Sequence, residues 1–237
     1  MSKFQYDAEI LARFPELVGG VILAEDLSNS ETPGSLLEAY LNEQHTALGR
    51  IGQTPLGEIE SLAAWRRAFR AFGVNPTKYR SAPEALLRRL TKKGDIPSIN
   101  TLVDLGNLVS IRYALPVAIL DTRTIQGALM VHFADGSERF MPLGQDEIEH
   151  PDLGEAVFSD ETKRVLARRW CWRQSDDSAA TADTTGAVIT VEAQHATGRV
   201  DVESALDALL GLLQRYTGGR YTSAVLDANQ PSIATSA

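Results

Sequence analysis

The chain has 237 residues, a net charge of −8 and one cysteine, Cys171. A single cysteine excludes a disulfide framework within the chain and leaves too few thiolates for a structural zinc site. The acidic balance argues against a protein that coats nucleic acid over its whole surface. The amino terminus, MSKFQYDAEI, lacks the apolar run of a signal peptide, and the most apolar short run, LVGGVILA (17–24), falls far below the ~18 residues of a membrane span. These features predict a cytoplasmic protein with no membrane partner.

In chain order, LVGGVILAEDL (17–27) reads as a buried strand and GSLLEAYLNEQHTA (34–47) as an amphipathic helix. Leu62, Trp65, Phe69 and Phe72 repeat at helical spacing and predict a helix over 59–72 stopped by Gly73. Ser81 and Glu84 have the spacing of a capping box at the head of a helix over 82–93, with Leu86, Leu87 and Leu90 facing inward. The next helix, about 99–113, is apolar on most sides. Its exception is a stripe of Asn100, Asp104 and Asn107, which must either tie adjacent loops together or line a wet pocket.

Short strand-like segments follow at 117–121, 128–135, 138–143, 156–160, 165–172 and 187–193. Asp135-Gly136 signals a hairpin between the second and third. Residues 145–155 carry five carboxylates and no Lys or Arg. A helix over 202–216 closes the sequence, and the uncharged tail ANQPSIATSA (228–237) predicts disorder. Helices first, strands next and a final helix make an α+β fold of mixed sheets packed with helices. The expected organisation is an N-terminal extension of strand plus helix over 1–58, a main domain over 59–217, and a C-terminal segment over 218–237.

Charge is unevenly placed. Residues 66–93 hold nine Lys/Arg and one acid, Glu84, a net charge of +8, so the rest of the chain carries −16. A second cluster, KRVLARRWCWR (163–173), has five positive charges and no acid. Local basic patches decide where a polyanion docks. Arg66, Arg67, Arg70, Lys78, Tyr79, Arg80, Arg88 and Arg89 are therefore candidate RNA contacts, against the alternative of a solvated helix face with cations complementing the helix dipole.

No phosphate-binding glycine loop and no G-x-S-x-G elbow occur. His45, His132, His150 and His195 are scattered with no metal-ligand spacing, and no cofactor is expected. His132 and His195 could each serve as a general base in a pocket, against the alternative of ordinary strand or rim histidines. If 165–173 is a continuous strand, Arg168, Trp170 and Trp172 share one face and Arg169, Cys171 and Arg173 the other. Arginine beside tryptophan suits stacking on a ring and holding an anion. The alternative buries the tryptophans and pairs the arginines with Asp104, Asp176 or Asp177.

Two stretches resemble the editing domain, called B3/4, of the phenylalanyl-tRNA synthetase β subunit. The first, PSINTLVDLGNLVSIRYALPVAILD (97–121), carries Ile99-Asn100, Val103-Asp104, Asn107-Leu108-Val109, Pro116 and Asp121 in that family's pattern. The second, over 157–193, places Ser178, Thr181 and Thr184 in an S-x-x-T-x-x-T stretch between strands. Residues 74–89 and 168–176 resemble the solo, non-synthetase members of the family. The resemblance covers about 60–215 and implies binding of an aminoacylated tRNA 3′ end and hydrolysis of a wrongly attached amino acid. Three positions depart from the synthetase pattern: its histidine falls at Val117, its Gly-Gly pair at about Gln174-Ser175, and its last-strand glutamate near Thr190, with Glu192 two residues on and on the same face.

The function expected from this resemblance is a tRNA-binding protein that deacylates misacylated tRNA in trans; the alternatives are a site for an amino-acid-like carboxylate, or a non-catalytic RNA-binding module. Asn100, Asp104, Asn107, Arg168, Trp170, Trp172 and Ser175 are the candidate substrate contacts, and Arg169, Arg173 and Gln174 the candidate catalytic groups. With no metal ligands and an inert thiol, hydrolysis would rely on a positioned water and on donors polarising the ester carbonyl.

Overall fold

A computed structural model describes residues 3–235. Eleven strands and six α-helices are assigned among them, in three layers. The inner sheet runs β10-β2-β9-β3, made of β2 (Val18–Glu25), β3 (Val117–Asp121), β9 (Gly186–Ala193) and β10 (Arg220–Leu226). The outer sheet runs β11-β1-β4-β6-β7-β5, with β8 paired to β7. Its strands are β1 (Lys3–Tyr6), β4 (Leu129–Phe133), β5 (Arg139–Phe140), β6 (Ala156–Ser159), β7 (Arg164–Arg168), β8 (Arg173–Gln174) and β11 (Ser232–Ala234).

The alternation of β9 explains the layering. Ala187, Ile189, Val191 and Ala193 point into a core shared with the helices α2 (Gly34–Ile51), α5 (Thr101–Tyr113) and α6 (Gly198–Tyr216). Val188 points the other way, into a second core between the sheets, with Phe4, Phe158, Leu166 and Trp170. The helices α1 (Ala8–Arg13) and α3 (Glu60–Ala71) send Ile10, Leu11, Trp65 and Phe69 into that second core. The remaining helix, α4 (Ala82–Lys93), adds Leu87 and Leu90 to the first. Mixed sheets and helices in this arrangement form the α+β fold expected from the sequence.

Several local expectations change in the structure. Ser81 makes no cap bond; Glu84, which a capping box would turn back on Ser81, accepts from Arg66 of α3 at 2.6 Å instead. An ion pair between helices outweighs a neutral cap bond. Asp135-Gly136 does form a turn, with Gly136 at φ 86°, but β4 and β5 do not pair; β4 lies between β1 and β6, and β5 pairs β7. The strand read over 165–173 breaks after Arg168. Within the uncharged tail, Ser232–Ala234 pairs with β1, while residues 236 and 237 lie outside the described residues. β1, α1, β10 and β11 carried no periodicity long enough to predict them. No helix among the described residues is long and apolar enough to cross a membrane.

Candidate functional site between the two sheets

The site is organised by the break in that strand. Arg169 (φ 46°) and Trp170 (φ 62°) are both in the left-handed region, a conformation costing about 1–3 kcal/mol for each non-glycine residue. The buried carboxylate of Glu155 holds the break in place. It accepts from the Arg168 guanidinium through Nε (2.9 Å) and Nη2 (2.8 Å), and from the Arg169 backbone N–H (3.0 Å). Trp170 N–H donates to Ala156 O at 2.6 Å. The turn thereby delivers Trp170, Cys171, Trp172, Arg173 and Gln174 in succession to one place.

There they line a narrow cavity of about 70 Å³, with Leu120, Phe158 and Glu192 among the other walls. This is room for a few waters or a short side chain. Glu192 is 1% exposed. Tyr6 Oη (2.8 Å) and Trp170 Nε1 (3.0 Å) both donate to its Oε1. Burial pushes the Glu192 carboxyl up to about 7, against the pull of those two donors. The same burial, with Glu192 alongside, raises the Tyr6 phenol and the Cys171 thiol well above their usual ranges. A thiol held protonated in this way is a poor nucleophile.

The sequence signal for this carboxyl is a glycine. Gly19 on β2 stands opposite Glu192 on β9, and a Cβ there would overlap the Tyr6 hydroxyl. Gly19 is therefore what lets Tyr6 of β1 reach Glu192. Without the topology, nothing in the sequence links the three residues.

A second, larger cavity adjoins the first; Val117 and Gln174 line both. Its volume is about 380 Å³, within the range of small-ligand sites. Its walls are mostly apolar, including Ile99, Val103 and Ile119, with Asn107 and Ser175 as polar points. Ile99 and Leu143 are large apolar residues left exposed beside it.

The structure sorts the sequence candidates. Asn107 and Ser175 line the larger cavity, and Trp170, Trp172 and Arg173 the smaller. Asn100 and Asp104 line neither: Asn100 caps α5, accepting from Val103 N–H and donating to Ala180 O. Asp104 is fully buried and accepts from Thr32 at 2.6 Å, from Ser98, and from Ile99 N–H at 3.0 Å. The polar stripe thus divides, two members tying loops together and one facing a cavity. Arg168 lines neither cavity and is committed to Glu155 and Glu149, so the face expected to unite Arg168, Trp170 and Trp172 does not form. Acids of the 145–155 loop take its charge, not Asp104, Asp176 or Asp177.

Among the candidate catalytic groups, Gln174 Nε2 donates to both Ile119 O and Ser178 O. Arg169 lies against two rings that themselves meet edge to face, 3.9 Å from the Tyr79 centroid and 4.6 Å from that of Trp172, with Asp152 and Glu155 as ion partners. Arg173 remains at the cavity wall with no carboxylate within 4.0 Å among the described residues. The family-pattern residues Ser178 and Thr184 bind the fold, donating to Leu166 O and to Asp121.

The candidate RNA contacts divide as well. Arg66 and Arg80 pair with the buried Glu84, and Arg89 with Asp95. Arg67, Arg70, Lys78 and Arg88 are exposed and make no ion pair among the described residues. Lys78 Nζ stands 4.9 Å from the centroid of the half-buried Tyr79. No group of three or more His, Cys, Asp or Glu among the described residues is placed to hold a metal ion.

Comparison with known proteins agrees with the two sequence stretches. The B3/4 domain model matches residues 64–218. Among solved structures, an N-terminal fragment of the phenylalanyl-tRNA synthetase β-subunit from Pyrococcus horikoshii is similar at a TM-score of 0.48 and 13% sequence identity. The match covers 94% of this chain and 54% of that one, so the chain spans about half the length of that fragment. None of the curated proteins matches. With the family's domain spanning well over half of its residues, the chain belongs to the B3/4 domain family.

Proposed function

We propose that the chain binds the aminoacylated 3′ end of a tRNA and hydrolyses its ester in trans. The observation that carries this reading is the pair of adjoining cavities, with the buried carboxyl of Glu192, raised to about 7, and Arg173, which has no carboxylate partner among the described residues, in the wall of the smaller. A small cavity for the amino-acid side chain beside a larger apolar one for the terminal nucleoside suits an aminoacyl ester. In the reaction, water adds to the ester carbonyl carbon, Glu192 takes its proton, and Arg173 donates to the developing oxyanion. The carbon–oxygen bond to the ribose then breaks and the ribose oxygen takes up the proton, leaving a free amino acid and a tRNA hydroxyl. Cys171 supplies no nucleophile.

The test is a deacylation screen across correctly charged and mischarged tRNAs. The expected result is loss of acyl groups from at least one, slowed ~10²-fold or more in Arg173→Ala, and unaffected by Cys171→Ser or by a chelator. The rate should rise as pH passes through about 7, as Glu192 ionises. Stable esters on every tRNA overturn hydrolysis. Full activity in Arg173→Ala, or its abolition by Cys171→Ser with the fold intact, overturns the assignment of roles.

Arg173, with no acid partner among the described residues, also favours a second reading, a site for a free amino-acid-like carboxylate. Thermal stabilisation by an amino acid, with no salt-dependent binding of tRNA, selects that reading over the first.

A further inference from the structure

Helix α4 borders a third cavity on its other side. Glu84, Arg88, Thr91 and Lys92 recur at helical spacing along one face of α4 and line a polar cleft of about 400 Å³. The opposite wall is the connection between α2 and α3, including Gly52, Gln53 and Thr54, and Arg66 of α3 contributes from the side.

The charge balance of this cleft is settled by its one carboxylate. Glu84 is 4% exposed, and its Oε1 already faces Arg66 at 2.6 Å and Arg80 at 3.8 Å. An acid one turn before an arginine on a helix ordinarily quenches it. Here Glu84 is instead held by Arg66 of α3 and by Arg80 just ahead of α4, and Arg88 has no ion partner among the described residues; neither has Lys92. The negative end of the helix dipole accounts for cations at Lys92 and Lys93, but the effect fades within one turn and does not reach Arg88. Two unopposed cations, a fork of donors and an ammonium, therefore face the exposed amide of Gln53 and hydroxyl of Thr54 across a polar gap.

We propose that this cleft binds a phosphate group, with Arg88 and Lys92 as its charge partners. The geometry of a guanidinium and an ammonium one turn apart fits an anion with several acceptor oxygens. Ala82, at the head of the same helix, lines the small cavity. At ~1.5 Å per residue, Arg88 and Lys92 lie about 9 and 15 Å along the axis from it, roughly three to four stacked nucleotides at ~3.4 Å each. A nucleic-acid strand ending at the small cavity would bring its phosphates to this cleft by crossing α4. The cleft itself stands independently of what the other cavities bind, since phosphate alone should occupy it.

The experiment follows backbone amides by NMR as inorganic phosphate is titrated at constant ionic strength. Saturable shifts at 52–57 and 88–92 are expected, with affinity ~10-fold or more weaker in Arg88→Gln/Lys92→Gln, whose thermal melt should stay that of the wild type. A short single-stranded RNA is then added. Displacement of phosphate, with a salt slope smaller by about 1.4 in the double variant, assigns the phosphate to a nucleic-acid backbone. Saturation by phosphate that the RNA does not reverse assigns it to a free phosphate or nucleotide. Shifts confined to other regions, or equal affinity in the double variant, overturn the site. Absence of deacylation leaves these outcomes unchanged, so the two proposals fail separately.

Discussion

The two basic stretches, 66–93 and 163–173, look alike in sequence and meet opposite fates. In the second, four of five cations are neutralised within the fold: Lys163 by Asp135, Arg164 by Asp177, Arg168 by Glu155 and Glu149, and Arg169 by Asp152 and Glu155. Most of the acids come from the 145–155 loop, which the sequence places beside the cluster without naming the pairs. In the first stretch the single acid, Glu84, is buried and consumed, so the surface of α3 and α4 keeps its charge. The lesson is that a run of arginines is an interior scaffold or a docking face according to where its acids fold. The interior cluster should govern stability and the exposed one association.

The largest effect expected from this contrast is at Glu155. Glu155→Ala leaves the buried Arg168 guanidinium with Glu149 as its one remaining carboxylate and the Arg169 N–H of the strained turn without its acceptor, and should destabilise the protein by about 3 kcal/mol, the low end for a broken buried ion pair. Denaturant unfolding measures it, and a loss below ~1 kcal/mol would erase the distinction between the two clusters.

Glu192 provides the next test. Its carboxyl is raised in the fold from 4.5 to about 7, so the folded state binds the extra proton. The stability this confers is complete below about 4.5 and is lost as pH rises to about 7. Relative to wild type, Glu192→Gln should remove up to about 3 kcal/mol of that decline while keeping an acceptor for Tyr6 and Trp170. Parallel pH–stability profiles for the two proteins would show that the carboxyl does not titrate there.

Asp104→Ala should cost about 1–3 kcal/mol, because three donors from two loops lose their buried acceptor. A protein of unchanged stability that no longer binds its ligand would turn this anchor into a contact. The smallest effect on stability belongs to the exposed cluster. Reversing Arg67, Arg70 and Lys78 together to glutamate should leave the denaturation midpoint unchanged, yet weaken RNA binding and lower its salt slope by about 2. Unchanged affinity would remove RNA from the proposed function, and a large loss of stability would break the contrast from the other side.

How much was legible follows the range of the interactions. The helical spacing of Leu62, Trp65, Phe69 and Phe72 placed α3, and all four are buried. The apolar segments at 117–121 and 187–193 became β3 and β9. The capping-box spacing at Ser81 marks the head of α4 at Ala82, but its reciprocal bonds do not form because Glu84 has a stronger partner 18 residues away in sequence. The alternation drawn through 165–173 failed because two consecutive left-handed residues reversed the chain, a conformation that ordinary side chains at Arg169 and Trp170 do not announce.

By itself the sequence determined the family pattern, the α+β class, most helices and inner strands, and the concentration of charge. All of these rest on local periodicity or on residues near one another in the chain. Tertiary structure decided which arginines are spent and which are free, since that depends on acids from other elements. It also decided the site: Tyr6 lies 186 residues from Glu192 in sequence, and only the pairing of β2 with β9 brings Gly19 opposite Glu192 and leaves Tyr6 room to reach it. A carboxyl's ionisation depends on what surrounds it in space, and no count of neighbours along the chain supplies that.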